Sequence, residues 1–204
     1  MKFNRSMAEA MCRALTALGY ALIEAGDFDE ALELASDLER MGIYSSYEIA
    51  ASAYAGKGEV QHAVQILEKG VQADPDNWIN WELLGSYRSE SGDYEGADRA
   101  YLKGMQCPGA WMDSITYNRA VARARSGDPR TAMELLDDVV DPDLDEPVAM
   151  VRIGLLVELG RPEDALDVVN SCLERDWGPG AGEVHSRFCK KKVWLLAYME
   201  ASQG

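Results

Sequence analysis

Apolar residues recur along the whole chain at the spacing of short amphipathic helices, and breaks centred on glycine separate these helices. The clearest case is the stretch from Trp78 to Gly109, in which apolar positions on both sides of Gly92-Asp93 follow the helical period. Glycine ends a helix because it readily takes the left-handed backbone conformation. The pattern therefore predicts a hairpin of two helices with its turn at Gly92.

The same glycine turn returns along the rest of the chain. Five glycines stand 32, 34, 35 and 33 residues apart, and an alanine follows each of them five residues later. The five pairs are Gly26 with Ala31, Gly58 with Ala63, Gly92 with Ala97, Gly127 with Ala132, and Gly160 with Ala165. A period of this length indicates a helical-repeat array, in which each hairpin needs its neighbours to bury its apolar face.

Small residues predict where the two helices of each hairpin cross closely. The alanine after the turn has a small counterpart in the first helix of four hairpins, at Gly19, Ala51, Gly85 and Ala120. Ile153 occupies this position in the fifth hairpin. We therefore expect the helices of the fifth hairpin to be splayed or shifted.

The chain is strongly acidic, with 20 basic residues against 35 acidic ones and a net charge of −15. A surface of this sign repels nucleic-acid phosphates and anionic lipid headgroups, so we expect neither a nucleic-acid nor a membrane partner. A basic run at Lys190, Lys191 and Lys192 departs from this trend. A solvated helix face, or neutralisation against the acidic body, explains this run more simply than a nucleic-acid site.

Cysteine spacing and segment hydrophobicity predict a cytoplasmic protein. Cys12, Cys107, Cys172 and Cys189 form no C-x-x-C pair, which is typical of reduced thiols in the cytosol. Glu9 interrupts the apolar run that a signal peptide would need. No stretch reaches the roughly 18 uncharged apolar residues that a membrane span requires.

Clusters that could support metal binding or catalysis are incomplete. The acidic stretch at 137–146 carries aspartates where an EF-hand loop has its first three ligands, but Glu146 replaces the glycine and Arg152 replaces the bidentate glutamate. These aspartates are Asp141, Asp143 and Asp145. His185 and Cys189 share a helix face but would supply only part of a zinc site. With 2 histidines and no nucleophile elbow or phosphate-binding loop, we expect no enzyme activity, metal or cofactor.

The hairpin from Trp78 to Gly109 resembles a tetratricopeptide repeat. The residues that carry the resemblance are Trp81, Leu84, Gly85, Gly92, Ala97, Tyr101 and Pro108, and the repeating turns extend it over residues 7–178. It implies an all-α fold, a right-handed superhelical solenoid of about five helix-turn-helix repeats with a C-terminal capping helix. The repeats would span about 12–45, 44–77, 78–110, 111–147 and 148–178, between a flexible tail at 1–6 and the capping helix at 183–201.

Two features of the C-terminal half concern the helix phase of the later repeats and the end of the array. Arg119 and Arg152 stand where the family usually has leucine, which leaves the helix phase of repeats four and five open. In the last helix, apolar residues at helical spacing share one side and would cover the open end of the array. These residues are Val184, Phe188, Leu195 and Met199.

The resemblance also implies a function, because tetratricopeptide repeats usually grip a peptide on a concave face built from their first helices. We therefore expect a non-enzymatic scaffold or adaptor. By position, the peptide-binding groove would include Tyr20, Glu24, Glu48, Ser52, Glu82, Ser86, Glu90, Tyr117, Asn118, Val121 and Arg125. Four of these residues are glutamates, which favours a basic or neutral partner.

Other functions within the same fold remain open at this point. A dedicated secretion-type chaperone of the same repeat class is also small, acidic and cytosolic, although such chaperones usually carry three repeats. A homo-oligomeric assembly module is a further alternative, and the chain would be a monomer or a dimer through its C-terminal helix. The lysine–asparagine–arginine clamp of some cochaperones is absent. Pentatricopeptide repeats read RNA along a basic surface, and the net charge of −15 argues against such a surface here.

Overall fold

A computed structural model describes residues 5–141, 145–178 and 181–202. Within these ranges the chain forms eleven α-helices and no strand. The helices are α1 (Arg5–Ala25), α2 (Phe28–Arg40), α3 (Ser45–Gly56), α4 (Val60–Ala73), α5 (Trp78–Glu90), α6 (Tyr94–Gly104), α7 (Met112–Arg125), α8 (Pro129–Asp137), α9 (Asp145–Glu158), α10 (Pro162–Glu174) and α11 (Ala181–Ala201). The predicted all-α fold is confirmed.

The ends of the repeat region differ slightly from the prediction. Helix α1 begins at Arg5, inside the predicted tail at 1–6, and α11 begins at Ala181, two residues before the predicted capping helix. The first four residues of the tail, Pro179 and Gly180 before the predicted capping helix, and Asp143 of the acidic stretch lie outside the described residues.

Each of the five repeating glycines ends a helix in the left-handed conformation. Their φ angles are 82°, 80°, 87°, 81° and 71° in chain order. At Gly92 the amide donates to the carbonyl of Ser89 (3.1 Å), and the Asp93 amide donates to the carbonyl of Arg88 (2.8 Å). The same pair of bonds closes the other four turns. These two hydrogen bonds satisfy the last carbonyls of a helix, so each glycine turn ends the first helix of its hairpin.

The small residues that were predicted at the helix crossings are buried in the structure. The five alanines that follow the turns are completely buried, and so are Ala51 and Ala120 in the first helices. Gly85 is also buried, and a Cβ atom on it would lie 2.5 Å from a ring carbon of Tyr101. The close contact in the central hairpin is therefore between the α5 backbone and the Tyr101 ring.

The chain divides into two compact units, the first ending at Ile115 and the second beginning at Thr116. The described residues of unit 1 include an apolar cluster around Leu38 and Ile49 and another around Leu67 and Leu84. Unit 2 likewise holds one cluster around Leu136 and another around Val169.

Two of the unexpected residues of unit 2, Ile153 and Arg152, have local explanations. Ile153 is completely buried in the same cluster as Ala165, so the core of the fifth hairpin accommodates the larger side chain. Arg152 donates to the carboxylate of Asp137 (2.6 Å) and to the Leu136 carbonyl (3.3 Å). It therefore joins α9 to the end of α8 instead of filling a core position.

Two glycines in first helices are expected to respond to alanine with opposite signs. Gly85→Ala places a methyl group against the buried Tyr101 ring, whereas a Cβ on Gly154 meets nothing within 4 Å. Alanine in a helix interior gains about 0.5–1 kcal/mol over glycine, but overpacking a core costs about 1–3 kcal/mol. We expect Gly85→Ala to destabilise its unit and Gly154→Ala to stabilise its own. Denaturant titrations of the two variants check this, and equal shifts of the same sign would contradict it.

Candidate peptide-binding surface

Polar contacts join the first helices of unit 1 to one another. The hydroxyls of Thr16 and Ser45 lie 2.8 Å apart between α1 and α3. Between α3 and α5, the Tyr87 hydroxyl donates to Ser52 (3.4 Å). The Ser114 hydroxyl at the start of α7 donates to Glu82 on α5 (2.5 Å). Several predicted groove residues therefore bridge neighbouring helices.

Glu48 is the most buried of the predicted groove residues, with 4% of its surface exposed. One carboxylate oxygen accepts the Tyr20 hydroxyl (2.8 Å), and the other accepts the side-chain amide of Asn77 (2.8 Å). The Asn77 carbonyl oxygen in turn accepts the backbone amides of Ile79 (3.0 Å) and Asn80 (3.4 Å), which caps α5. Glu48 thus ties α1, α3 and the start of α5 together, and its oxygens are occupied by donors of the protein itself.

Tyr20 combines this internal role with an accessible ring. Its hydroxyl is held by Glu48, while 37% of its surface is exposed. Burial and, secondarily, the neighbouring Glu48 carboxylate raise the pKa of Tyr20 above its ordinary value. The hydroxyl therefore stays a proton donor to Glu48, and the ring remains available to a ligand.

The other predicted residues of unit 1 divide between buried contacts and open surface. Ser86 is half-buried, and its hydroxyl donates to the Glu82 carbonyl (3.0 Å) and lies 3.2 Å from that of Tyr101. Glu24 and Glu90 are exposed near the C-terminal ends of α1 and α5. Of the four predicted groove carboxylates, these two are the ones on the open surface.

The predicted groove residues of unit 2 lie on α7. Tyr117 is half-buried and packs against the cluster around Ala120 and Leu136. Burial raises the pKa of Tyr117, and the Arg125 guanidinium partly offsets that shift. Arg125 is exposed, whereas Asn118 and Val121 are half-buried. The assignment of all these residues to a peptide groove stays a prediction.

An open depression of about 460 Å³ lies beside Tyr20, between α1 and the segment that leads into α3. Cys12, Ala17 and Ile43 supply apolar lining, and Thr16, Ser45 and Arg13 supply polar groups. Of the residues that line this depression, Tyr20 is the one predicted from the sequence to face a peptide. Ile43 stands in the loop between two hairpins, so only the folded arrangement shows that it faces α1.

The described residues assemble neither a metal-ligand cluster nor a membrane span. Among them, no group of three or more histidine, cysteine or acidic side chains could hold a metal ion. His185 and Cys189 are both exposed on α11. None of the described helices is long and apolar enough to cross a bilayer.

Comparison with known proteins identifies tetratricopeptide repeats in two segments of the chain. Family models described as tetratricopeptide repeat match residues 16–77 and 114–138. A TPR repeat-containing protein of Pseudomonas aeruginosa is 35% identical over 52 residues, which cover 26% of this chain and 50% of that protein. The chain contains tetratricopeptide repeats. The match spans half the length of that relative, so it carries no activity across.

Solved structures of other proteins share this fold. A thermophilic TPR protein of Thermus thermophilus superposes with a TM-score of 0.69 at 17% identity, covering 88% of this chain and 97% of that one. Pseudomonas aeruginosa pilF gives a TM-score of 0.69 at 16% identity, with 93% and 89% covered. At these identities the likeness concerns the fold alone. Tetratricopeptide repeats are generally non-catalytic protein-binding modules, so a protein-interaction scaffold is the general role that this fold supports.

Proposed function

We propose that this tetratricopeptide-repeat protein is a non-enzymatic scaffold that binds a peptide segment of a partner protein across the first helices of unit 1. The depression beside Tyr20 is the observation that carries this proposal. It is open and largely apolar in its lining, as a pocket for one anchoring side chain of a peptide requires, and it lies between α1 and the segment that leads into α3. Tyr20 supplies a ring held in place by its bond to Glu48.

The charges on this surface favour a basic or neutral segment. Glu24 and Glu90 are exposed, and the chain as a whole carries −15. Carboxylates on such a surface attract lysine and arginine and speed their encounter with the protein. The exposed Tyr20 ring can additionally receive a guanidinium or an apolar side chain.

The proposal includes a cytoplasmic location. Cys12, Cys107, Cys172 and Cys189 are all unpaired. Free thiols of this number are typical of a reducing compartment.

Photo-cross-linking from the depression tests whether a peptide binds there. A photoreactive phenylalanine derivative at Ala17, which lines the depression, should capture a defined segment of a partner in the native host. The same group at Leu102, exposed on α6, is the matched control. Capture of the same segment from both positions, or from Leu102 alone, would contradict the proposed surface.

The captured segment, made as a peptide, tests the role of the exposed carboxylates. We expect the double change Glu24→Gln and Glu90→Gln to weaken binding a few-fold at low salt, because it removes carboxylates that attract a basic segment. It should also reduce the salt dependence of binding, because this attraction is what salt screens, over about 8 Å at physiological ionic strength. The control is Glu134→Gln with Glu174→Gln, which removes the same charge from exposed positions on α8 and α10. Equal effects of the two double changes would show that overall charge, not this surface, steers the ligand.

A further inference from the structure

Helix α11 has two apolar faces, of which its own unit covers one. Phe188 and Leu195 are completely buried in the cluster around Val169. On another side of the helix, Val193 is 69% exposed, Trp194 47% and Tyr198 39%. A capping helix needs only the first face, so we expect another molecule to cover the second.

The exposed face is a continuous stripe. Its members recur at the three- and four-residue spacings that place side chains on one side of a helix. They are Lys190, Val193, Trp194, Ala197, Tyr198 and Ala201, all of them exposed. The stripe covers three helical turns, about 16 Å at 1.5 Å per residue. That length is enough for a helix–helix contact.

The stripe is complementary to itself when two copies run antiparallel. A two-fold axis between positions 195 and 196 pairs each residue before the axis with the residue of the second copy that lies equally far after it. Trp194 then faces Ala197 of the second copy, and Val193 faces Tyr198. Each large side chain meets a smaller one, which lets the helices approach closely and interdigitate.

The charges along α11 match in the same arrangement. The stripe begins at Lys190 and has Lys191 at the edge of its first half, and its second half has Glu200 at its edge and runs to the C-terminal end of the helix. Antiparallel pairing puts Lys191 opposite Glu200 and Lys190 beside the negative end of the helix dipole. Among the described residues, none of these three side chains forms an ion pair, whereas Arg187 is already bonded to Glu146 (2.9 Å) and Glu183 (2.8 Å).

We propose that this stripe is the contact of a homodimer, in which α11 of two copies pairs antiparallel about positions 195 and 196. The occupant of the exposed face is therefore a second copy of this chain. The Lys191 ammonium lies 4.5 Å from the centre of the Trp194 ring, which helps to hold the ring in place for the contact. This inference concerns a surface apart from the peptide-binding depression and does not rest on it.

Sedimentation equilibrium of the full chain tests the contact through its large and small residues. The expected result is a concentration-dependent dimer whose dissociation constant rises about tenfold or more in Trp194→Ala, because an exposed tryptophan at the centre of a contact contributes most to binding. Ala197→Trp alone should also weaken the dimer, since two tryptophans then collide. The double swap W194A/A197W should restore it. Trp111→Ala, which removes another exposed tryptophan, is the matched control and should leave the dimer unchanged.

Charge reversal tests the antiparallel register. K191E and E200K should each weaken the dimer, because each sets like charges opposite one another. An equimolar mixture of these two variants should form a heterodimer more readily than either forms a homodimer, since both contacts are then of opposite sign. A chain that is monomeric at every concentration would overturn the proposal. So would a dimer that is indifferent to Trp194→Ala, or a mixture that shows no preference for the heterodimer.

Discussion

Phe188→Ala is expected to destabilise the C-terminal part of the chain by about 3–5 kcal/mol, the usual loss for truncating a buried phenylalanine. Phe188 is completely buried among Ile153, Ala165 and Val169. Its ring stacks on Trp177, with the centroids 5.7 Å apart. The substitution therefore leaves a cavity between α11 and the hairpin that it covers. Because repeats contact mainly their neighbours, the loss should stay local.

Native-state hydrogen exchange measures this local loss. Amides of α9, α10 and α11 should lose protection in Phe188→Ala, while those of α3 to α5 in unit 1 should keep it. Trp194→Ala is the control on the same helix, and its effect on the monomer should stay within about 0.5 kcal/mol, as for most surface substitutions. Equal losses in the two variants would mean that α11 does not cap the array through Phe188.

Sequence patterns predict the hairpins well because they depend on local chemistry. A glycine that must take a positive φ, as Gly92 does, can be recognised in the sequence of a single repeat. The alanine five residues later reports the closeness of two helices that are adjacent in the chain. The covered face of α11 was also predictable, since Phe188 and Leu195 follow the helical period and both are buried.

The surface contacts were harder to predict because they depend on neighbouring repeats. Glu48 looks like an open carboxylate when its own helix is considered alone. Its partners Tyr20 and Asn77 lie 28 and 29 residues away, and the sequence does not show that they converge on it. In the same way, the contact of Gly85 with Tyr101 depends on the rotamer and register of a second helix.

The exposed stripe of α11 illustrates a third kind of limit. Sequence periodicity finds one apolar face and explains it as a cap. Trp194 and Tyr198 then fall outside that face and resemble scattered surface residues, which are common in soluble proteins. Only the burial of Phe188 on the opposite flank shows that the two groups are separate faces.

Glu48→Ala is expected to destabilise unit 1 by about 2–4 kcal/mol, because it removes two hydrogen bonds to a buried charged group and leaves their donors unpaired. The donors are the Tyr20 hydroxyl and the Asn77 amide, each 2.8 Å from a Glu48 oxygen. Glu48→Gln is the matched control: its amide oxygen can still accept Asn77, and the Tyr20 hydroxyl can turn to accept from the new amide nitrogen. The loss in this variant should therefore be smaller. Denaturant midpoints of the two variants give the comparison.

A double-mutant cycle of Glu48→Ala with Tyr20→Phe separates the Tyr20–Glu48 hydrogen bond from the rest of the network, and we expect a coupling energy above about 0.5 kcal/mol.

The same hydrogen bond makes the stability of the fold depend on pH. Because the pKa of Tyr20 is raised in the folded chain, the stability it contributes is present below its unfolded pKa and is lost as the pH rises through the folded value. Glu48→Ala should lower the Tyr20 pKa toward its ordinary value, although burial keeps part of the shift. Difference absorbance against Tyr20→Phe measures this titration. A Tyr20 pKa unchanged by the loss of Glu48, together with no coupling in the cycle, would show that Glu48 does not hold α1 and α3 together.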